Sequence, residues 1–488
     1  MNPQRYPQSF SRRRFLRDAA LVVSFSFAGL PAARSEVTEA GAHKLDPAEL
    51  DAFLAIKKDG SIVIYSGKVD LGTGHRIAMR QMVAEELSIA PEDVQRIELI
   101  EGDTALTPDR GPTAGSSGVM RGGVELRQAA ATAREALLAL AATRLGRPAA
   151  ELTLERGVIR AKEAGIDVSV AELAGARPFN VKLNPKAALK RPQQYTIVGR
   201  SLRRPDIPAK VTGRHIFVHD FKLPNMLHGR VVRPAAVGAR LLDVDATSIE
   251  NIPGARVVRI ENFLAVVAED EWAAVRGARE LKARWSTGSG LVGHDNIAAW
   301  ARRGPFAANE VLVNKGNTAV LADNAKTLRA IYSWPIQSHA SIGPSCAIAD
   351  VQADRATIWS ASQATHRYRP ALARVVGLPP EKVRVIYLDG AGCFGMNGHD
   401  DAAADAALLA KATGRPVRVQ WTREDELGWD PKGPPQLIEL RAALDETNRI
   451  AAWEAEMWVP QATAKLEHVP LLGPADAGVK QPVGWSTR

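Results

Sequence analysis

Val383-Arg384-Val385-Ile386-Tyr387-Leu388-Asp389-Gly390-Ala391-Gly392-Cys393-Phe394-Gly395-Met396-Asn397-Gly398-His399-Asp400-Asp401 passes from an apolar, strand-like run through a glycine loop into an alanine-rich helix that continues to Leu408. Gly390, Gly392, Gly395 and Gly398 relieve steric limits on the backbone and leave peptide N–H groups available. A loop of this kind lets the chain pass close to a phosphate, a pterin or a metal-oxo group near a helix start. Gly390-x-Gly392-x-x-Gly395 also fits a dinucleotide fingerprint, with Glu424 and Asp425 after the next strand-like run, Pro416 to Trp421. That alternative needs its third glycine inside the helix. Met396-Asn397-Gly398-His399 is poor helix sequence, and the alanine-rich pattern starts only near Asp400.

Upstream, Ser11-Arg12-Arg13-Arg14-Phe15-Leu16-Arg17 resembles a twin-arginine export signal, followed by an apolar run, Ala19 to Leu30, and small residues at Pro31-Ala32-Ala33. The apolar run is well short of the roughly 20 residues a membrane-spanning helix needs. Residues 1–33 are therefore expected to be an address, and the periplasm the destination. The 488 residues hold 63 Lys and Arg against 54 Asp and Glu, a net charge of +9. Five arginines and one aspartate lie in residues 1–33, so the remainder carries +5. Spread through a 24% charged composition, that excess makes a mildly basic surface, not a nucleic-acid footprint. A hydrophobic content of 45% suits large cores divided among about three domains. The two cysteines, Cys346 and Cys393, form no C-x-x-C pattern, so this chain offers no framework for an iron–sulfur cluster or an attached haem. They could form a disulfide, but Cys393 is more simply a small residue that permits close packing.

The first region opens with a hairpin signal: Phe53 to Ile56, a Lys57-Lys58-Asp59-Gly60 turn, then Ile62 to Tyr65. Gly67-Lys68-Val69-Asp70-Leu71-Gly72-Thr73-Gly74 precedes an amphipathic helix reaching about Leu87, and Ile77 stands where a dinucleotide fingerprint would want Gly or Ala. A strand over Val94 to Glu101 comes next. Small and hydroxyl residues, Thr113-Ala114-Gly115-Ser116-Ser117-Gly118, then lead into a long helix, Val124 to Leu145. Pro185, Pro192 and Pro205 mark Lys182 to Pro205 as a linker. Beyond it lie strands at Val257 to Ile260 and Phe263 to Ala268, a helix over Glu271 to Ala283, the run Thr357 to Gln363, the glycine loop, and a strand-like end from Leu437 to Met457.

These pieces, in this order, resemble the molybdenum-binding large subunit of the xanthine dehydrogenase and aldehyde oxidase family, in the group of the isoquinoline 1-oxidoreductase and nicotinate dehydrogenase large subunits. GKVDLGTGHRIAMRQMVAEEL is similar to the family's cofactor-binding turn and helix, and VGRSLRRPDIPAKVTGRHIFVHDFKLPNMLHGRVVRP to the start of its hammerhead domain. SHASIGPSCAIADV, the segment around Gln363 with the glycine loop, and RPVRVQWTREDELGWDPKGP resemble its first molybdopterin-binding domain. The resemblance implies an α+β, multidomain chain with permuted molybdopterin-binding domains around an α/β hammerhead domain. Its parts would be a signal peptide (1–33), an N-terminal molybdopterin-binding domain (45–198), the hammerhead (205–290), the first molybdopterin-binding domain (291–458) and a truncated tail (459–488).

By position, Gln363 matches the glutamine beside the molybdenum oxo group. Gly392, Phe394 and Gly395 match the loop passing the metal and substrate, Gly72, Thr73 and Gly74 the pterin-binding turn, and Gly115 and Ser116 the loop approaching the phosphate tail. Thr73 stands where many relatives carry glutamine, which implies a shorter or water-mediated contact. His339, His366 and His399 have no simple metal-ligand spacing and are expected in loops or core, while Asp400-Asp401 is expected to cap the following helix. The implied cofactor is molybdopterin, in its cytosine dinucleotide form, with molybdenum. The implied chemistry is hydroxylation of an N-heteroaromatic or aldehyde substrate with oxygen from water. Electrons would leave through iron–sulfur clusters held only in a partner, a small [2Fe-2S] subunit, toward a cytochrome c acceptor. The family's glutamate base in a Gly-x-Gly-Glu context does not occur in these 488 residues, so the reading includes a chain completed by a second polypeptide, or one without catalysis of its own.

Overall fold

Alternating apolar residues do form the expected hairpin, with Leu54 opposite Ile64 and Ile56 opposite Ile62. The computed structural model describes residues 45–162, 165–174, 178–306, 308–319, 321, 326–395, 401–459 and 471–480, so the export signal, His399 and Asp400 lie outside the described residues. Strand Glu98–Glu101 adds to the hairpin in parallel, and helix His75–Glu86 makes the crossover. The strand expected from Val94 begins only at Glu98, because Pro91 opens a short 3-10 helix through Arg96 at a position where its missing N–H costs nothing. Helix Val124–Leu145 packs over this sheet, and Leu50, Phe53, Ile64, Met79, Leu126 and Leu137 fill the core between them.

The stretch expected as a linker, 182–205, is irregular but strapped down. The buried Glu85 carboxylate accepts the N–H groups of Thr196, Ile197 and Val198, and Ile197 is fully buried. Those backbone donors find a charged acceptor inside the protein, which proline-rich sequence alone does not reveal.

A seven-stranded mixed sheet forms the second core. Its order is Val383–Tyr387, Ala356–Ser360, Cys346–Val351, Val417–Gln420, Leu227–Val231, Phe263–Ala268, Arg256–Ile260. Val417 pairs in parallel with Leu227, so strands on either side of residue 290 share one sheet. The alanine-rich helix Asp401–Thr413 lies on that sheet with Ala402, Ala403, Ala404, Ala406 and Ala407 fully buried. Small residues permit this close approach: a Cβ on Gly229 would sit 2.7 Å from Leu409 Cδ1.

Leu437 to Met457 is two strands rather than one, Gln436–Leu444 and Ile450–Trp458. Asp445 Oδ1 accepts the N–H groups of Thr447 and Arg449, and Asn448 takes a left-handed φ of 62°, closing a hairpin. With Thr327–Trp334 these strands form a separate antiparallel sheet. The architecture is thus α+β and multidomain. No helix among the described residues is long and apolar enough to cross a membrane.

Candidate functional site

Strand Val383–Tyr387 delivers Asp389, only 7% exposed, to the foot of the glycine loop. Its carboxylate accepts from Arg76 Nη1 at 3.0 Å, pairs with Lys210 Nζ at 3.0 Å, and meets His215 Nε2 at 2.8 Å. Arg76, on the first turn of helix His75–Glu86, also bonds the buried Glu101. Burial opposes the charge on Asp389, but Arg76 and Lys210 outweigh it and hold the carboxyl at about 2. Burial pushes the Glu101 carboxyl up to about 7. One charged cluster therefore joins the N-terminal sheet, the start of the 205–290 region and the glycine loop.

Asp70 shapes the opposing turn. Its Oδ1 accepts the N–H groups of Gly72 at 2.8 Å and Gly74 at 3.1 Å, while Oδ2 accepts that of Arg76 at 3.1 Å. The left-handed φ of 99° at Gly72 and 80° at Gly74 makes this wrapping possible. The outer side stays open, with no heavy atom within 4 Å of a Cβ built on Gly72. The Thr73 hydroxyl is engaged with His75 Nδ1 at 3.0 Å, so the side chain expected to reach outward is tied within its own turn.

A cavity of about 180 Å³ separates this turn from the glycine loop, and Asp70, Leu71, Gly72, Lys210, Gly392 and Cys393 are among its lining residues. Gly72 and Gly392, far apart in sequence, thus face one space. Gln363 is not in that lining. It lies 6% exposed, with Nε2 donating to Thr113 O at 3.0 Å and Oε1 accepting from the Cys393 thiol at 2.8 Å. Gly115 and Ser116 are exposed at φ 56° and 59°, two and three residues beyond Thr113. Phe394 stands 64% exposed at the loop tip, and Gly395, at φ 102°, donates its N–H to Cys393 Sγ. Helix Asp401–Thr413 begins well beyond Gly395, so the third glycine of the dinucleotide fingerprint is outside any helix.

Cys346 and Cys393 are buried and are not joined by a disulfide. His339 Nδ1 lies 3.0 Å from Pro431 O, and His366 Nε2 3.1 Å from Thr107 Oγ1. Asp401 Oδ1 accepts the N–H of Leu472. Sequence reasoning missed Asp389, Arg76 and Lys210, which pair across long sequence separations. Asp70 left a local signal, an aspartate placed two and four residues before glycine amides.

The surroundings of the 111–118 loop suit an anionic group. Lys68, 3% exposed, donates to Pro112 O at 2.8 Å and Ser117 Oγ at 3.2 Å and has no carboxylate among these partners. Burial, with Arg110, Arg121 and Arg367 nearby, lowers its amine to about 8. His75 Nε2 is buried without a hydrogen-bond partner, and the ring lies against Gly118. An unpartnered buried ring nitrogen, an open glycine turn and buried positive charge fit a flat polar ring with a phosphate tail.

Residues 26–201 and residues 305–471 each match a molybdopterin cofactor-binding domain. The chain belongs to the molybdenum-binding large subunits of the xanthine dehydrogenase family. It is 42% identical over 422 residues to a nicotinate dehydrogenase subunit of Pseudomonas putida, covering 84% of this chain and 35% of that protein. It is 26% identical over 497 residues to an isoquinoline 1-oxidoreductase subunit of Brevundimonas diminuta, covering 91% of this chain and 63% of that protein. The solved aldehyde oxidoreductase of Desulfovibrio gigas superposes with a TM-score of 0.47 at 18% identity, over 82% of this chain and 45% of that one. The chain thus spans about a third of the length of one curated relative and 63% of the other.

Proposed function

We propose that this chain forms the cofactor-binding part of a molybdenum hydroxylase large subunit acting on an N-heteroaromatic ring or an aldehyde. The observation that carries the reading is the convergence of the Asp70–Gly72 turn and the Gly390–Cys393 loop on one cavity. Gly72, Thr73 and Gly74 would hold the pterin, Gly115 and Ser116 the phosphate tail in a cytosine dinucleotide form, and Gln363, Gly392 and Gly395 the metal end. Phe394, exposed beside that end, would stack on a flat ring. When bound, the molybdenum cofactor supplies hydroxylation with oxygen from water and releases two electrons. The residues of this chain bind it, orient it and fix the charge around it. The 42% identity to a nicotinate dehydrogenase subunit favours a pyridine-type ring over an aldehyde. A small [2Fe-2S] subunit and a cytochrome c would take the electrons, in the periplasm after twin-arginine export.

The test is Gln363→Ala in the complete complex, purified with the iron–sulfur partner and the polypeptide that supplies the glutamate base. Turnover of nicotinate should fall about tenfold or more, with molybdenum and pterin content unchanged. Unchanged turnover would remove Gln363 from the site.

A further inference from the structure

Four segments that contribute to the site are joined by one run of hydrogen bonds. Val69 N donates to Thr113 Oγ1 at 2.9 Å, just before the Gly72 turn. Thr113 N donates to Gln363 O at 2.8 Å, and Gln363 Nε2 returns a bond to Thr113 O at 3.0 Å. The Cys393 thiol donates to Gln363 Oε1 at 2.8 Å, and Gly395 N donates to Cys393 Sγ at 3.4 Å. A carboxamide can face either way at little intrinsic cost, so its partners decide which end carries the oxygen. Here Thr113 O accepts only from nitrogen and the thiol donates only to oxygen, and the two ends agree. Cys393 is 4% exposed and lines the cavity, whereas Gln363 lies behind it.

We infer that Cys393 is a positioning residue whose thiol fixes the carboxamide of Gln363 and thereby sets the glycine loop 390–395 in register with the 111–118 loop. This rests on the reading that Gln363 serves the cofactor end of the site. A sulfur donor is weak. Its role is to select one amide orientation in a buried place where a wrong one would leave Thr113 O facing an oxygen. A packing role would require only a small side chain at this position, and alanine would satisfy it.

Two measurements on the full chain separate these roles. In the Cys346→Ala background, the infrared S–H stretch belongs to Cys393 alone; it should lie below that of a free thiol and move up on Gln363→Leu. A band at the free-thiol position, unmoved by that change, would overturn the inference. In the complex turning over nicotinate, Cys393→Ala should lower kcat about tenfold with KM unchanged, and Cys393→Ser, which keeps a donor, should retain activity within about threefold. In a Gln363→Ala background, Cys393→Ala should cost nothing further. Equal losses in the serine and alanine variants, or additive losses in the double variant, would contradict positioning through Gln363. Full activity of Gln363→Ala alone would instead overturn the reading of Gln363, while the S–H band would still report the bond.

Discussion

Around the buried Asp389, the partly buried Arg76, Lys210 and His215 bring polar side chains from two further parts of the chain into contact with one carboxylate. One face of the sheet Thr327–Trp334, Gln436–Leu444 and Ile450–Trp458 is the opposite case. Leu328, Tyr332 and Trp334 share that face with Ile438, Trp453 and Met457 by register, and five of the six are exposed large hydrophobics. Among the described residues, the buried cluster at that sheet is Leu321, Ala443 and Ala452. The contrast separates two uses of surface. Desolvated charge fixes where the Gly72 turn sits relative to the glycine loop, since each ion tolerates only a narrow set of partner geometries. Apolar area is non-directional and fixes no such geometry.

The largest effect should come from breaking the charged junction. Arg76→Met leaves Asp389 and Glu101 buried without their shared guanidinium and should cost about 3–5 kcal/mol, read by denaturant unfolding. A loss below about 1 kcal/mol would show that the cluster is solvated rather than desolvated.

An intermediate effect should appear in acid. The Asp389 carboxyl is held at about 2 against an ordinary value of 3.8, so its contribution is fully present above about pH 4 and is lost as pH falls toward 2. The shift corresponds to about 2 kcal/mol. The stability gap between the wild-type chain and Asp389→Asn should therefore close over that window. A gap constant from pH 6 to pH 2 would contradict the assigned pairing.

The smallest effect belongs to the exposed sheet. Tyr332→Ser, at a position 56% exposed, should change stability by no more than about 0.5 kcal/mol while reducing binding of a hydrophobic dye. A cost comparable to that of Arg76→Met would erase the distinction between the two regions.

Much of the fold was legible because local pattern and tertiary packing agree. Helix Val124–Leu145 falls where its periodicity begins and ends, and strands Arg256–Ile260 and Phe263–Ala268 coincide with their apolar runs. The glycine loop was legible for a different reason, since few sequences need so many left-handed or bare positions after a strand. The charged junction was not legible. Arg76, Lys210 and Asp389 are ordinary charged residues until folding brings them together. The mixed sheet hid in the same way: nothing in Leu227–Val231 or Val417–Gln420 announces that the two lie side by side. Cys393 was assigned by size, while its thiol hydrogen bond depends on a glutamine thirty positions away.

The most direct test of the account is the molybdenum and pterin content of the full chain, purified from cells that make the cofactor, beside Gly392→Val. A valine is strained at the φ of 127° of this residue and would crowd the wall of the cavity. The wild-type chain should carry close to one molybdenum and one pterin, and a folded Gly392→Val chain should be strongly depleted of both. A folded wild-type chain carrying neither, or a variant loaded as fully as the wild type, would contradict the placement of the cofactor between the Gly72 turn and the glycine loop.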